Sequence, residues 1–252
     1  MEFDFGPYRI TVNMPTRAAL MDEVRRRFRA GEGFALATIN LDHLVKLADD
    51  PAFARTYAAQ DLVVADGRPI VALSRLAGRP VELLPGSDLV FPLVELAAAE
   101  TVPVALVGSS EQALADARRV LEARAPGLRV VWTHAPEYGF DPGGEAAAAI
   151  LSELAARDVG LCFLALGAPK QEMLALRGRE LAPGVGFASV GAGLDFLGGH
   201  QIRAPRWMRR LGLEWLWRML SSPRRLVPRY ARCAAILPGQ VAAARRLRRA
   251  GR

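Results

Sequence analysis

Short apolar runs alternate along the chain with segments whose apolar residues recur every three or four positions. The runs are typical of strands buried on both faces: 34–40, 62–65, 102–107, 128–133, 159–166 and 185–190. The intervening segments have helical spacing: 17–28, 44–47, 69–76, 87–99, 110–124, 144–156 and 173–181. This alternation predicts an α/β protein with a Rossmann-like parallel sheet flanked by helices. Residues 8–14 are predicted to form a short strand or hairpin edge, and Thr16 to cap the first helix.

Polar side chains or glycines follow several of the predicted strands. They are Thr38, Asn40, Asp66, Ser109, His134 and Gly167. In open parallel sheets, ligands bind beyond the carboxyl ends of the strands. We therefore expect a binding site at this edge.

The stretch Gly167-Ala168-Pro169-Lys170-Gln171-Glu172 joins a predicted buried strand to a predicted helix. A helix N-terminus presents unpaired N–H groups and partial positive charge, which suits a phosphate. Lys170 adds a full charge, and Gln171 adds an amide that both donates and accepts. A plain strand–turn–helix junction would look the same.

Charge divides the chain unevenly. The 252 residues carry a net charge of +7, but residues 203–252 hold fourteen arginines and one acid, Glu214. Residues 1–202 are therefore mildly acidic, at −6. We predict an α/β catalytic domain over 1–202 and a basic, Trp/Arg-rich helical appendage over 203–252.

Cysteine content and hydropathy limit the location. Cys162 and Cys233 lie in apolar surroundings without metal-like spacing, which favours a reducing compartment. The acidic start of the chain argues against a secretory signal. No apolar run approaches the roughly 20 residues of a membrane span.

Several common chemistries leave no signature. The dinucleotide fingerprint and the P-loop are absent, and no Asp-x-Asp pair indicates a carboxylate-bound divalent cation. Asp66, at a strand end before Gly67, fits a general base, and also an N-cap of the next helix. His134 fits a capping or packing role at least as well as catalysis.

The appendage combines arginines with three of the four tryptophans: Trp207, Trp215 and Trp217. Amphipathic Trp/Leu helices with arginines bind anionic membrane surfaces. The stripe Trp207, Leu211 and Trp215 fits packing on the body equally well. Nucleic acid is a competing partner for Arg-rich runs, although Trp and Leu are dense here for such an arm. After Pro238 both an accessory helix and a frayed tail remain open.

Several blocks resemble the WecG/TagA/CpsF family of bacterial glycosyltransferases. The resemblance covers about residues 8 to 237, and it rests on Thr38-x-Asn40, Ala65-Asp66-Gly67, Pro85-Gly86-Ser87-Asp88-Leu89, Gly167 to Glu172, Gly191-Ala192-Gly193-x-Asp195-Phe196 and Arg203-Ala204-Pro205-Arg206-Trp207-Met208-x-x-Leu211-Gly212-Leu213-Glu214-Trp215.

This resemblance implies an inverting, metal-independent transferase. It would move a hexose or N-acetylhexosamine from a UDP-sugar to an undecaprenyl-diphosphate-linked sugar, in exopolysaccharide or other cell-surface polysaccharide synthesis. N-acetylmannosamine, its uronic acid and glucose all stay open as the sugar. The enzyme would be cytoplasmic and peripheral on the inner face of the plasma membrane, without a cofactor or specific nucleic acid, and a homo-oligomer is possible.

The resemblance also assigns residues. It implies Asp66 as general base, with Thr38 and Gln171 beside it in the catalytic pocket. Asn40 likewise matches a pocket residue of the family. The helix N-termini that follow the strands independently predict that the UDP-sugar contacts Gly108, Ser109, Gly167, Ala168, Pro169 and Lys170, and we add Tyr138 to this set. The lipid diphosphate and membrane would contact Arg206, Arg209, Arg210, Arg218, Arg224 and Arg225.

One position departs from the family pattern. Leu83 stands where the family often has an arginine, and Arg68 or Arg79 is a candidate to replace that charge. Two other functions compete: an NAD-dependent oxidoreductase, disfavoured by the missing fingerprint, and a non-catalytic adaptor for membrane or nucleic acid.

Overall fold

A computed structural model describes residues 1–201, 204, 205, 207, 208 and 213–250, except the side chains of residues 218 and 225. Its centre is a parallel six-stranded sheet in the order β4-β3-β8-β7-β5-β6. A separate antiparallel hairpin, β1-β2, precedes it. The strands are β1 Glu2–Phe5, β2 Tyr8–Thr11, β3 Phe34–Ile39, β4 Leu62–Ala65, β5 Val104–Gly108, β6 Val130–His134, β7 Leu161–Ala165 and β8 Gly186–Ser189.

Helices connect the strands and extend the chain after the last one. They are α1 Arg17–Ala30, α2 Leu41–Asp49, α3 Pro51–Ala58, α4 Arg68–Leu76, α5 Gly86–Ala99, α6 Glu111–Arg124, α7 Glu145–Ala156, α8 Lys170–Leu181, α9 Gly193–Leu197, α10 Glu214–Ser221 and α11 Pro223–Ala250. The predicted α/β class and the parallel sheet flanked by helices are confirmed. The short helices α3 and α9 were not among the predicted elements.

Local capping explains where helices begin. The Thr16 side chain accepts from the Ala19 N–H at 3.1 Å, as predicted for the N-cap of α1. Ser110 caps α6 by accepting from the Ala113 N–H at 3.3 Å. Such side chains satisfy N–H groups that the first helical turn leaves unpaired.

Helices cover both faces of the sheet because its strands are apolar on both. Leu36, Leu106 and other strand residues pack with α1, α5, α6 and α9. Ala35, Val107 and Leu164 face α7 and α8. The hairpin, α2, α3 and α4 form a third apolar cluster around β4.

The long helix α11 returns to the body of the protein. It contacts α2 and α4, and Ala244 is fully buried in the cluster around β4. Among the described side chains, two ion pairs tie α11 to α2: Arg229 to Asp42 at 2.7 Å, and Arg232 to Asp49. The segment after Pro238, for which a helix and a frayed tail were both open, is therefore a docked helix. The division at residue 202 stays a prediction.

Candidate functional site

The carboxyl edge of the sheet brings together residues from distant parts of the chain. Parallel strands end at the same edge, so Asn40 after β3, Asp66 after β4, Gly167 after β7 and Gly191 after β8 lie along one rim. Strands β8 and β7 are inserted between β3 and β5. Residues 40 and 191 thereby become neighbours along the sheet.

Asp66 extends the β3–β4 pairing by one residue. Its N–H donates to the Ile39 carbonyl at 2.7 Å, and its Oδ2 lies 3.5 Å from Nδ2 of Asn40. The N-cap position of α4 is Gly67, at φ +100°. The alternative interpretation of Asp66 as this N-cap therefore does not describe the structure. Its carboxylate lies beside the Asn40 amide at the sheet edge.

The orientation of Asn40 follows from its position as N-cap of α2. Its Oδ1 accepts from the His43 N–H at 3.1 Å, and its own N–H donates to His43 Nδ1 at 3.3 Å. This reciprocal arrangement is a capping box with histidine in the place usually taken by Glu or Gln. Because the amide oxygen faces the helix, the amide NH2 faces Asp66. The cap thus supplies a donor to the carboxylate.

The stretch Gly167 to Glu172 forms the start of α8 and joins two strand ends. Gly167 has a left-handed backbone at φ +72°, and the Gln171 N–H donates to the Gly167 carbonyl at 3.1 Å. The Gln171 side chain is buried, with Oε1 accepting from the Gly191 N–H at 3.1 Å and Nε2 donating to Glu172 at 2.9 Å. Gln171 therefore fixes the loop after β7 to the loop after β8.

A buried acid lies beneath this rim. Glu172 is fully buried, and its Oε1 lies 4.0 Å from Nε2 of His43. Burial raises the pKa of Glu172 to about 7 and lowers the pKa of His43 to about 4, because an apolar environment disfavours both charged forms. Sequence reasoning singled out neither as a site residue. The one available signal for His43 was its place three residues after Asn40.

Thr38 and Gly108 occupy tightly packed strand positions. Thr38, in β3 opposite Val64, is 5% exposed. A Cβ on Gly108 would lie 2.5 Å from the Ala165 carbonyl group, and its φ is +118°. Glycine is required there because β5 and β7 approach too closely for a side chain.

The side chain of Ser109, predicted to contact the UDP-sugar, forms a hydrogen bond with an acid. Its hydroxyl donates to Oδ1 of Asp195, at the start of α9. Oδ2 of Asp195 accepts from Gln201 at 2.7 Å. A carboxylate repels a diphosphate, so this end of the rim suits a ligand group that donates hydrogen bonds.

The remaining predicted site residues lie apart from the Asp66–Asn40 pair or outside the part of the chain that the structure describes. Lys170 is half-buried at the first turn of α8 and pairs with no acid among the described residues. Tyr138 is fully exposed in a loop after β6. Arg224 is exposed at the start of α11. Outside the described residues lie Arg206, Arg209 and Arg210, with the side chains of Arg218 and Arg225.

The position of Leu83 also lies near the rim. The Leu84 N–H donates to the Ala65 carbonyl at 2.8 Å, which holds this segment beside the end of β4. Arg79 pairs with Glu2 on the hairpin at 2.7 Å. Arg68 lies two residues after Asp66, at the first position of α4, and its replacement of the charge that Leu83 lacks stays a prediction.

In the part of the chain that the structure describes, no metal-binding group, membrane-spanning helix or large cavity adds a further functional residue to the rim. Among the described residues, no group of three or more His, Cys, Asp or Glu side chains could hold a metal ion, and no helix is long and apolar enough to cross a membrane. A cavity of about 530 Å³ lies between α5 and α9. Its lining includes Ser87 and Gly193 but none of Thr38, Asn40, Asp66 or Gln171.

The sequence as a whole matches a known protein family. The model described as "Glycosyl transferase WecG/TagA/CpsF family" matches residues 7–251. The match spans the sheet, the rim and the carboxyl-terminal helix.

Proposed function

The chain belongs to the WecG/TagA/CpsF family of glycosyl transferases, and from this premise we propose the reaction in more detail. The donor is a UDP-sugar carrying a hexose or N-acetylhexosamine. The acceptor is a sugar linked to undecaprenyl diphosphate, in synthesis of a cell-surface polysaccharide or exopolysaccharide. The observation that carries this proposal is the Asp66 carboxylate beside the Asn40 amide, across the rim from the start of α8.

Asp66 acts as the general base in this proposal. The acceptor hydroxyl oxygen attacks the anomeric carbon on the face opposite UDP, and the bond from that carbon to the phosphate oxygen breaks. The hydroxyl proton passes to Asp66, and configuration inverts in this single displacement. Asn40 orients the carboxylate, because its amide NH2 is directed to Oδ2 by the cap of α2.

The departing UDP needs its growing negative charge offset. The N-terminus of α8 offers N–H groups and partial positive charge, and Lys170 at its first turn adds an ammonium. Such preorganised groups stabilise charge that develops in the transition state. We propose that they serve this step without a divalent cation.

Asp66→Asn tests the base. We expect turnover to fall at least about 100-fold, the usual contribution of a general base, while UDP affinity stays within about twofold. UDP release would be followed with detergent-dispersed polyprenyl-diphosphate-sugar acceptor, a panel of UDP-sugars and EDTA, and UDP binding by calorimetry. Equal loss of binding and turnover would reduce Asp66 to a structural role.

The control for this variant is Asp61→Asn, at the opposite end of the same strand. Asp61 accepts from the Ala35 N–H and pairs with Arg179, both at 2.8 to 2.9 Å. This variant should lose stability without losing turnover per folded molecule. Activity of the wild type that disappears in EDTA and returns with a divalent cation would contradict metal independence.

We further propose that the appendage binds the anionic inner face of the plasma membrane. Around α10 the large apolar side chains Trp207 and Leu220 are 60% and 67% exposed, in a segment whose sequence is rich in arginines, which suit anionic headgroups. The double variant Trp207→Ser/Leu220→Ser should reduce flotation with anionic vesicles at least about tenfold, from the apolar area lost. Leu181→Ser removes an exposed apolar side chain from the far end of α8, and should float like wild type.

A further inference from the structure

A chain of polar contacts leads from α11 to the turn before α8. Arg229 Nε lies 2.7 Å from Asp42 Oδ1. The other carboxylate oxygen, Oδ2, lies 3.2 Å from Lys46 Nζ, one turn along α2. Lys46 Nζ in turn donates to the Ala168 carbonyl at 3.1 Å. The docked helix is thus connected through two side chains of α2 to the middle of the turn 167–169.

The burial of Asp42 makes this connection more than a surface ion pair. Its side chain is 12% exposed, and electrostatic interactions strengthen as water is excluded. Two cations share its single charge. Asp42 therefore holds the Arg229 guanidinium and the Lys46 ammonium together, and this places the ammonium within reach of the Ala168 carbonyl.

The same two helices form a second ion pair that does not continue to the site. Arg232 pairs with Asp49, whose side chain is 54% exposed. Asp49 stands at the far end of α2, two turns from Asp42 and away from the turn 167–169. The chain therefore contains a matched control, since both pairs fasten α11 to α2 but only one connects to the turn.

We propose that Asp42 and Lys46 are positioning residues that hold the turn 167–169 in its binding geometry when α11 is docked. The inference rests on the proposed function in one respect, namely that this turn binds the diphosphate of a nucleoside-diphosphate sugar. Docking of the helix and the geometry of the donor site are then coupled. Neither side chain touches the reacting atoms.

The first test does not depend on the ligand. Hydrogen exchange would be measured by mass spectrometry on peptides covering 166–174, which include the Gln171 and Met173 amides that close the first turn of α8. Lys46→Met and Asp42→Asn should accelerate this exchange about tenfold, and Asp49→Asn should not. Unchanged exchange in Lys46→Met, or equal acceleration in all three variants, would overturn the proposal.

A second readout separates the turn from helix docking. Cys233 lies on α11 and is 5% exposed, so its labelling by a thiol reagent reports undocking. Lys46→Met should leave this labelling rate unchanged and Asp42→Asn should raise it, whereas Asp49→Asn should change it little because its ion pair is exposed. A rise in Lys46→Met equal to that in Asp42→Asn would overturn the proposal, because the turn would then respond only to undocking.

Kinetics completes the test. Lys46→Met and Asp42→Asn should raise the KM for the UDP-sugar three- to tenfold with kcat changed less than twofold, and the double variant should be no worse than either single one. Additive losses, or equal losses in Asp49→Asn, would overturn the coupling. A wild type that binds no UDP would instead overturn the proposed function, and exchange in 166–174 would still decide the coupling.

Discussion

Glu172 and His43 are two ionisable side chains in a buried environment that disfavours the charged form of each. Burial raises the pKa of Glu172 to about 7 and lowers the pKa of His43 to about 4. Both are consequently neutral in the folded protein over much of the range between these values. Oε2 of Glu172 has no hydrogen-bond partner among the described residues, so ionising it in place is costly.

Glu172→Gln should therefore stabilise the protein in a pH-dependent way. Between pH 4.5, the ordinary value for this acid, and about 7, folded Glu172 holds a proton that the unfolded chain has lost. The contribution of Glu172 to the free energy of unfolding of the wild type is therefore greatest below pH 4.5 and falls as the pH rises towards 7. The glutamine side chain does not ionise, so the free energy of unfolding of the Glu172→Gln variant should rise relative to that of the wild type over this pH range, by up to about 3 kcal/mol.

Urea unfolding of the two proteins at pH 5 and pH 8 measures this difference. His43 is present in both, so its opposite effect, a loss of stability as pH falls below 6.5, cancels in the comparison. The amide oxygen of the Glu172→Gln variant can still accept the hydrogen bond that Gln171 donates to this position. Parallel pH profiles would contradict a raised pKa of Glu172.

Some contacts between individual residues could be predicted from the sequence, and others could not. Asp66 and Asn40 were predictable as residues of the same sheet edge because parallel strands end together. The contact between His43 and Glu172 was not, since it depends on how α8 packs against α3 and β3. The diphosphate interpretation of Ser109 likewise took no account of Asp195, 86 residues away.

At the scale of elements, α8 packs closely on β8 at a position where the helix has a glycine. Gly178, in the helix, faces Phe187, and a Cβ on the glycine would lie 2.3 Å from the phenyl ring. Phe187 is fully buried. The helix that begins at the rim therefore packs closely against β8 at this glycine.

Gly178→Ala should destabilise the protein by about 2 kcal/mol, because overpacking outweighs the gain in helix propensity. Phe187→Leu should cost less in this background than in wild type, since the smaller side chain relieves the clash. A double-mutant cycle of unfolding free energies measures the coupling. Additive effects would mean that the neighbours relax without strain.

Element prediction succeeded where periodicity was long and failed where it was short. The strands and the longer helices follow from apolar runs and helical spacing, with caps at Thr16 and Ser110. The eight residues of α3 are too few for a periodic signal, although Asp50 as N-cap and Pro51 at the first position mark its start. Pro238 argued against a continuous α11, yet packing on α4 overrides it.

At the scale of the whole molecule, α11 is attached mainly at one side. Its more extensive contacts among the described residues are with α2, α4 and α10, whereas β7 lies between two strands of the sheet. Elements with few contacts open at lower free energy than the core. The sheet order and this docking could not be predicted from sequence, because both depend on contacts between distant segments.

The reactivity of the two cysteines measures the unfolding of α11 and of the sheet separately, because Cys233 lies on α11 and Cys162 lies in β7. In increasing urea, Cys233 on α11 should become reactive before the protein unfolds, and Cys162 in β7 only with global unfolding. Burial raises the pKa of both thiols, so both are slow in the native state. Mass spectrometry after pulsed thiol labelling gives the two midpoints.

Ala244→Arg sharpens this comparison. A charged side chain forced into the fully buried position of Ala244 should lower the midpoint of Cys233 and leave that of Cys162 within error. Coincident midpoints in wild type would make α11 part of one cooperative unit with the sheet.

The docking of α11 has a consequence for biosynthesis. Synthesis runs from the amino terminus, so α2 and α4 leave the ribosome before the helix that covers them. Until residues 223–250 follow, the apolar surface that later receives Ala244 faces water. During that interval the nascent chain offers chaperones a binding surface, and two such chains offer each other one.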